Sequence, residues 1–422
     1  MSSPQSPAIG PAAGGRQRLA DMLAEAAELE HGLLCQYLYA WFSMKRAPEE
    51  GVSWQQLELM RQWGASLLLV ARQEMEHLGL VCNLLTSIGE APTLRRPDFP
   101  LSPRYYDLGI PCLLEPFGLP ALERFIGFEA PQTPGGADLT RLGRTGLTLA
   151  TTSIAALYDE IRSLFQTLDR PDLFVGPPGA QFTTPTIIPV PIRGVQTPNH
   201  PIYDVFLTAV TNLTSALAVI DQIVLEGEGT PGGSQTSHFA RFCTMYEQLR
   251  QQLDADPGFQ PARPVVADPC ATEAVSVAPS LAVCELFDGA YTATLLLLYR
   301  FFAHTDESQA ELLALQQAAF FPMMTGVLRP LGELCTLLPA QPVGPQTAAP
   351  AFTYQRSVGL LPHKLAAWRV MLDGLQSLAV TSGQLAADTQ SYPPAVCARL
   401  RLVHENLVRI ASDFEANMAV TA

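Results

Sequence analysis

Apolar positions along this chain recur at steps of three and four, the period of helices rather than strands. Over 17–46, Leu19, Leu23, Ala26, Glu30, Leu34, Tyr37 and Trp41 share one face. Over 54–88 the same spacing joins Leu67, Val70, Glu74, His77, Val81 and Leu85, and Gly89 with Pro92 beyond it is a helix-stop signature. A proline-rich connector, 92–120, leads to a short apolar segment, 119–128. A third long helix is predicted over 146–169, and a fourth over 203–226 with Phe206, Val210, Leu213, Leu217, Ile220 and Val224 as its stripe. Between these two, 171–201 interleaves prolines with Val, Ile and Thr, which suits extended strand or irregular loop. A glycine-rich break from Gly227 to Gly233 precedes a further helix over 237–253. Helical patterning returns over 280–338, 357–384 and 394–418. The expected chain is all-α. It has a disordered tail (1–16), a four-helix bundle (17–253) with the insertion 171–201, a linker (254–279) and a C-terminal helical domain (280–422) packed on the bundle.

Three residues break the apolar stripes. Glu30 sits inside the first, and Glu74 and His77 sit inside the second at i and i+3, on one face. A buried carboxylate without a partner costs several kcal/mol, and a cation removes that cost. Carboxylate oxygen with imidazole nitrogen suits iron, manganese or zinc. One Glu from a helix plus Glu-x-x-His from its neighbour is half of a carboxylate-bridged di-metal bundle site. A lone Glu-x-x-His arises often by chance, and core acids also pair with His or Arg. Glu30 on the preceding helix is what makes the ligand reading the sharper one. Glu25, Glu28 and Glu76 point away from the stripes and are expected in solvent; His31, about 100° round the helix from Glu30, is expected half-exposed.

The other half of a paired site falls to helices three and four. Glu228 extends the fourth stripe at a helix break, and His238 opens the next helical segment; a loop acid and a helix-start residue are the plain alternatives. Glu160 lies at the edge of the third stripe, roughly 60° off its centre, and either reaches in or pairs with an arginine at the surface. Tyr37 and Tyr158 lie near these positions in sequence, where they either donate hydrogen bonds, lose an electron or simply fill the core.

Composition narrows the function classes. The 422 residues are 48% hydrophobic and 16% charged, enough apolar material for large cores. Lys and Arg number 26 against 40 Asp and Glu, a formal charge of −14, which argues against nucleic-acid or anionic-membrane partners. Eight scattered cysteines without a CxxC pair read as reduced thiols. Residues 1–15 lack a basic start and an apolar run, so no signal peptide is expected, and the richest apolar run, Ala290–Phe302, is too short to span a bilayer. A cytoplasmic protein is expected.

The segments Leu29-Glu30-His31-Gly32-Leu33-Leu34-Cys35-Gln36-Tyr37, Arg72-Gln73-Glu74-Met75-Glu76-His77-Leu78, Val81-Cys82-Asn83-Leu84-Leu85, Glu226-Gly227-Glu228-Gly229 and Ser237-His238-Phe239 resemble the ferritin-like family that includes the iminophenyl-pyruvate dimer synthase domain. The resemblance covers residues 17–250, and later helices are similar to the family's C-terminal part. It implies a ferritin-like bundle. The family's best-described members are longer, are associated with haem and iron, and couple oxidised aromatic amino acids on the way to violacein- and rebeccamycin-type pigments. Carried over residue by residue, the family's metal acids and histidines fall on Glu30, Glu74, His77, Glu228 and His238. One departure stands out: where the family's third helix has a Glu two residues before its Tyr, this chain has Ala156, so Glu160 substitutes or the second position lacks a ligand.

The implied protein is a non-haem iron oxidoreductase with two ions, or one if the second half-site is degenerate. It would act with dioxygen or peroxide on a small amino-acid-derived intermediate of a natural-product pathway. Glu74, Tyr37 and Tyr158 are its candidate catalytic residues; Glu30, Glu74, His77, Glu160, Glu228 and His238 are its candidate ligands. Haem is left open, as are a homodimer and a pathway-enzyme partner. The alternative, favoured by Ala156, is a catalytically degenerate scaffold or partner subunit.

Overall fold

The computed structural model of the chain describes residues 11–102, 109–131, 154–183, 207–229, 236–269, 274–302, 306–354 and 359–421. Helix α1 (Pro11–Ser43) and helix α2 (Trp54–Ser87) form a long hairpin. Ser53 starts α2 through a capping box: its Oγ accepts from Gln56 N, and Gln56 Oε1 accepts from Ser53 N. Gly89, at φ +87, ends α2 by turning the chain so that Glu90 N reaches Leu85 O, a backbone region costly for other residues.

Helix α3 (Leu119–Phe128) is followed by α4 (Ile154–Thr167), α5 (Leu213–Gly227) and α6 (His238–Ala255). Asn212 caps α5 by accepting from Ser215 N, and Ser237 caps α6 by accepting from Ala240 N. In the C-terminal half, α7 (Ala278–Phe302) precedes α8 (Gln309–Leu315). The chain then passes through π-type turns at Gln316–Phe320 and Met324–Leu328 into α9 (Arg329–Cys335), and α10 (Lys364–Ala387) and α11 (Pro394–Thr421) complete it. Among the described residues the only strand-like pairings are isolated bridges, so the all-α class expected from periodicity holds.

Packing closes a ring: α1 lies on α2, α2 on α5, α5 on α4, and α4 back on α1. Helices α3 and α6 pair with each other, and α6 also touches α2 and α5. Helix α7 packs on α2, α9 and α10, and α10 pairs with α11. Helix α7 is long and apolar enough to match a bilayer span, which the short-run expectation missed, but 72% of that window is buried within the protein.

Boundaries differ from expectation where a cap decides them. Helix α1 begins at Pro11, ahead of the tail boundary placed at 16, and residues 1–10 lie outside the described residues. The fourth helix starts at Leu213, because Asn212 is extended and caps it; 203–206 lie outside the described residues. The third helix is described from Ile154, its expected start at 146–153 lying outside. The predicted helix 280–338 breaks after Phe302, and Ser308 caps a new start. The first part of the insertion is irregular with one tight turn at Pro178–Ala180, and 184–201 lie outside the described residues.

Candidate metal centre

The ring of α1, α2, α5 and α4 encloses a polar cluster. From α1, Glu30 is carried inward between Leu23, Ala26, Leu34 and Tyr37, all buried. From α2 come Glu74 and His77, one turn apart. Glu129, the residue that ends α3, and His238, the first residue of α6, enter from outside the ring. Ser237 fixes that last position: by capping α6 it seats His238 at the start of the helix, fully buried. All five side chains are buried.

Two groups of donor atoms result. One atom each from Glu30, Glu74 and His77 lie within 4.8 Å of one another, and so do one each from Glu74, Glu129 and His238. Glu74 belongs to both. Its Oε2 is 3.5 Å from His77 Nδ1, and its Oε1 is 2.9 Å from His238 Nδ1. Glu30 Oε2 lies 3.6 Å from His77 Nδ1, and Glu129 Oε1 3.5 Å from His238 Nδ1.

The shortest of these contacts tests whether a metal fits. Glu74 Oε1 and His238 Nδ1 are buried, yet neither completes a hydrogen bond of normal geometry. Two donors bound to one ion at about 2.1 Å and at right angles lie about 3.0 Å apart. Both the spacing and the missing hydrogen bond therefore suit a shared ion, and the acid and imidazole donors suit iron.

The electrostatics point the same way. Burial, then the neighbouring Glu74, pushes the Glu30 carboxyl up to about 7. Burial also works to raise Glu74, but His238 beside it holds it below the usual range. Burial works against charge on His238, while Glu74 and Glu129 raise it to about 9. His77 likewise resists burial and is raised, through Glu226, Glu30 and Glu74. Among the described residues no lysine or arginine pairs with Glu30, Glu74 or Glu129, so protons on imidazole are the compensation the chain itself supplies.

Tyrosines hold the outer acids. Tyr158 on α4 donates to Glu30 Oε1, and Tyr37 on α1 donates to Glu129 Oε1 at 2.6 Å. Burial, then these same carboxylates, keep both phenols protonated well above their ordinary range. A cavity of about 20 Å³ adjoins the cluster, walled by Leu33, Ile154, Ile223 and Val224. It has room for a water-sized group. Gly227 lets α5 come close: a Cβ there would stand 3.1 Å from Glu129 Oε2.

Of the sequence candidates, Glu30, Glu74, His77 and His238 meet here, and Tyr37 and Tyr158 bond to the cluster. Glu160 does not join it. It pairs with Arg18 at the surface, with 46% of its side chain exposed, because α4 buries Ile154, Tyr158, Ile161 and Phe165 and turns position 160 roughly 130° away from that stripe. Glu228 lies at the cavity edge but enters neither group; α5 ends just before it, and its Oε1 accepts from Ala155 N at 3.0 Å at the start of α4. Its neighbour Glu226 is the one that turns inward, 3.2 Å from His77 Nε2.

Glu129 was not anticipated, although it continues the Ala121–Phe125 step by four more residues. Two expectations of exposure are also corrected. Glu76 is buried and accepts from Gln222 Nε2 at 2.7 Å, because α5 covers that side of α2. His31 is buried under the connector, its Nδ1 donating to Leu94 O at 2.9 Å and its Nε2 2.6 Å from the Tyr291 hydroxyl.

A closed ring of helices with acids and imidazoles at its centre defines a ferritin-type bundle. The chain belongs to the ferritin-like family, whose profile matches residues 23–247. It is 30% identical over 393 residues to dichlorochromopyrrolate synthase of Lentzea aerocolonigenes, covering 84% of this chain and 38% of that one. It is 30% identical over 373 residues to 2-imino-3-(indol-3-yl)propanoate dimerase of Chromobacterium violaceum, covering 82% of this chain and 34% of that one. The chain thus spans between a third and two fifths of the length of these curated relatives. A ferritin-like protein from Caulobacter vibrioides of solved structure superposes with a TM-score of 0.43 at 19% identity, covering 75% of this chain and 93% of that one.

Proposed function

We propose that this bundle holds two iron ions and that the protein is an oxidoreductase of natural-product biosynthesis, acting with dioxygen or peroxide on an amino-acid-derived intermediate. The observation that carries the reading is Glu74, whose two oxygens face two different histidines, each group completed by a further buried acid. Glu30, Glu74 and His77 would hold one ion; Glu74, Glu129 and His238 the other. When bound, iron supplies one-electron chemistry toward dioxygen or peroxide. The protein's own part is to orient and to exclude. Tyr158 and Tyr37 fix the outer carboxylates, and the apolar wall keeps bulk water away.

The substrate class is supported by the relatives, one of which is named for an indolyl imino acid. The division into a metal-binding bundle (17–253) and a C-terminal helical part (280–422) belongs to the same proposal, since every group named lies in the former. The scaffold alternative drew on Ala156. Glu129 bears on it, because α3 places a carboxylate in the cluster that the third long helix does not offer. The test is anaerobic iron loading, elemental analysis and oxygen uptake. About two irons per chain and oxygen consumption are expected; well-folded protein with near-zero iron overturns the reading.

A further inference from the structure

Each histidine of the centre turns Nδ1 to the carboxylates, and what lies behind each ring decides whether that nitrogen is available. Behind His77, Nε2 is 3.2 Å from Glu226 Oε2. Behind His238, Nε2 is 3.3 Å from Gln73 Oε1. The two backings are joined, since Gln73 Nε2 donates to Glu226 Oε2 at 3.0 Å. Gln222 braces the group from α5, its Nε2 lying 3.4 Å from Glu226 Oε1 and donating to Glu76 Oε1 at 2.7 Å.

This chain of bonds has one consistent direction. A carboxylate accepts only, so the Gln73 amide must present its NH₂ to Glu226 and its oxygen to His238. Reversing the amide would set oxygen against carboxylate. Both acceptors then face an Nε2 that must carry hydrogen, and a ring holding hydrogen at Nε2 offers Nδ1 to a metal.

We propose that Gln73 and Glu226 act together as positioning residues, fixing Nδ1 as the metal-binding nitrogen of both His77 and His238. A single hydrogen-bonded pair spanning α2 and α5 thereby sets the orientation of two rings from two helices. The inference rests on the metal reading above, and it concerns residues that touch neither ion.

The test uses zinc as a diamagnetic probe in the full chain, with ¹⁵N-histidine spectra and competitive zinc titration. In the wild type both zinc-bound histidines are expected to show hydrogen on Nε2. E226L should weaken the ion at His77, and Q73L the ion at His238, by about 10–100-fold each, while the other ion still binds. E226Q keeps an acceptor oxygen behind His77 and should bind within about threefold of the wild type. A purely structural clamp would not produce this site-by-site split or the rescue. Wild-type protein that takes up no zinc overturns the metal reading and this inference with it. Zinc bound through Nε2 in the wild type overturns this inference alone, whether or not the leucine variants fold. So does zinc binding in both leucine variants within about threefold of the wild type.

Discussion

Buried charge is handled in opposite ways in the two halves of the chain. In the C-terminal half, Arg300 on α7 donates from Nε to Glu307 Oε1 at 2.7 Å, with Nη2 in ion-pair contact with the same oxygen. Trp368 Nε1 adds a second hydrogen-bond donor to the same carboxylate oxygen, and Arg300 Nη1 donates to Leu361 O. The pair is neutral by itself and ties α7 to α10. In the N-terminal bundle, Glu30, Glu74 and Glu129 are also buried, yet they face imidazoles and one another. The difference separates two uses of buried acids. A carboxylate matched to a guanidinium serves the fold, whereas acids gathered without a permanent cation are what the proposed metal site requires.

Four substitutions test that contrast. The largest effect is expected from Glu74→Ala, which removes the shared donor: bound iron should fall to near zero by elemental analysis. Helicity should persist, since the lost group is one the metal-free protein must compensate; full iron content in this variant would sink the shared-ligand assignment. Arg300→Ala should behave in the reverse way. It strands Glu307 and should cost about 3–5 kcal/mol of unfolding free energy in denaturant melts. Iron content of the folded fraction should be unchanged.

Asp288 offers a smaller test within α7. Burial pushes its carboxyl up to about 7 from an ordinary 3.8, while its Oδ1 accepts from Thr353 N at 3.0 Å. The folded state thus keeps a proton that the unfolded chain releases. Its contribution to stability is whole below 3.8 and fades as pH rises through about 7. Asp288→Asn keeps the acceptor and should raise stability by about 1–2 kcal/mol at pH 8, with the gain shrinking by pH 5, as calorimetry would read. The smallest effect belongs to Glu160→Ala. Its exposed pairing with Arg18 predicts a stability change under about 0.5 kcal/mol and unaltered iron content. A large iron loss would return Glu160 to the site.

The legible part of the fold and site follows from period. Glu30, Glu74 and His77 fall on helical steps among leucines and valines, so both their burial and their company could be read from spacing. The all-α class was legible for the same reason. Glu129 was not, because α3 is short and the acid sits at its end, where the pattern runs out before it declares a direction. Glu226 and Glu228 were confused because the exact residue at which α5 stops decides which of them turns inward, and termini are the least determined part of a helix. Glu76 shows a further limit: its burial comes from α5, a partner that the local sequence of α2 does not announce.

Gly227 lets the two donor groups of the cluster be tuned apart. Its bare backbone is the wall against which Glu129 rests. A methyl group there would act as a wedge, shifting one carboxylate by tenths of an ångström while the seat built on α1 and α2 stays as it is. The absence of one side chain is thus a steric dial on half of the centre.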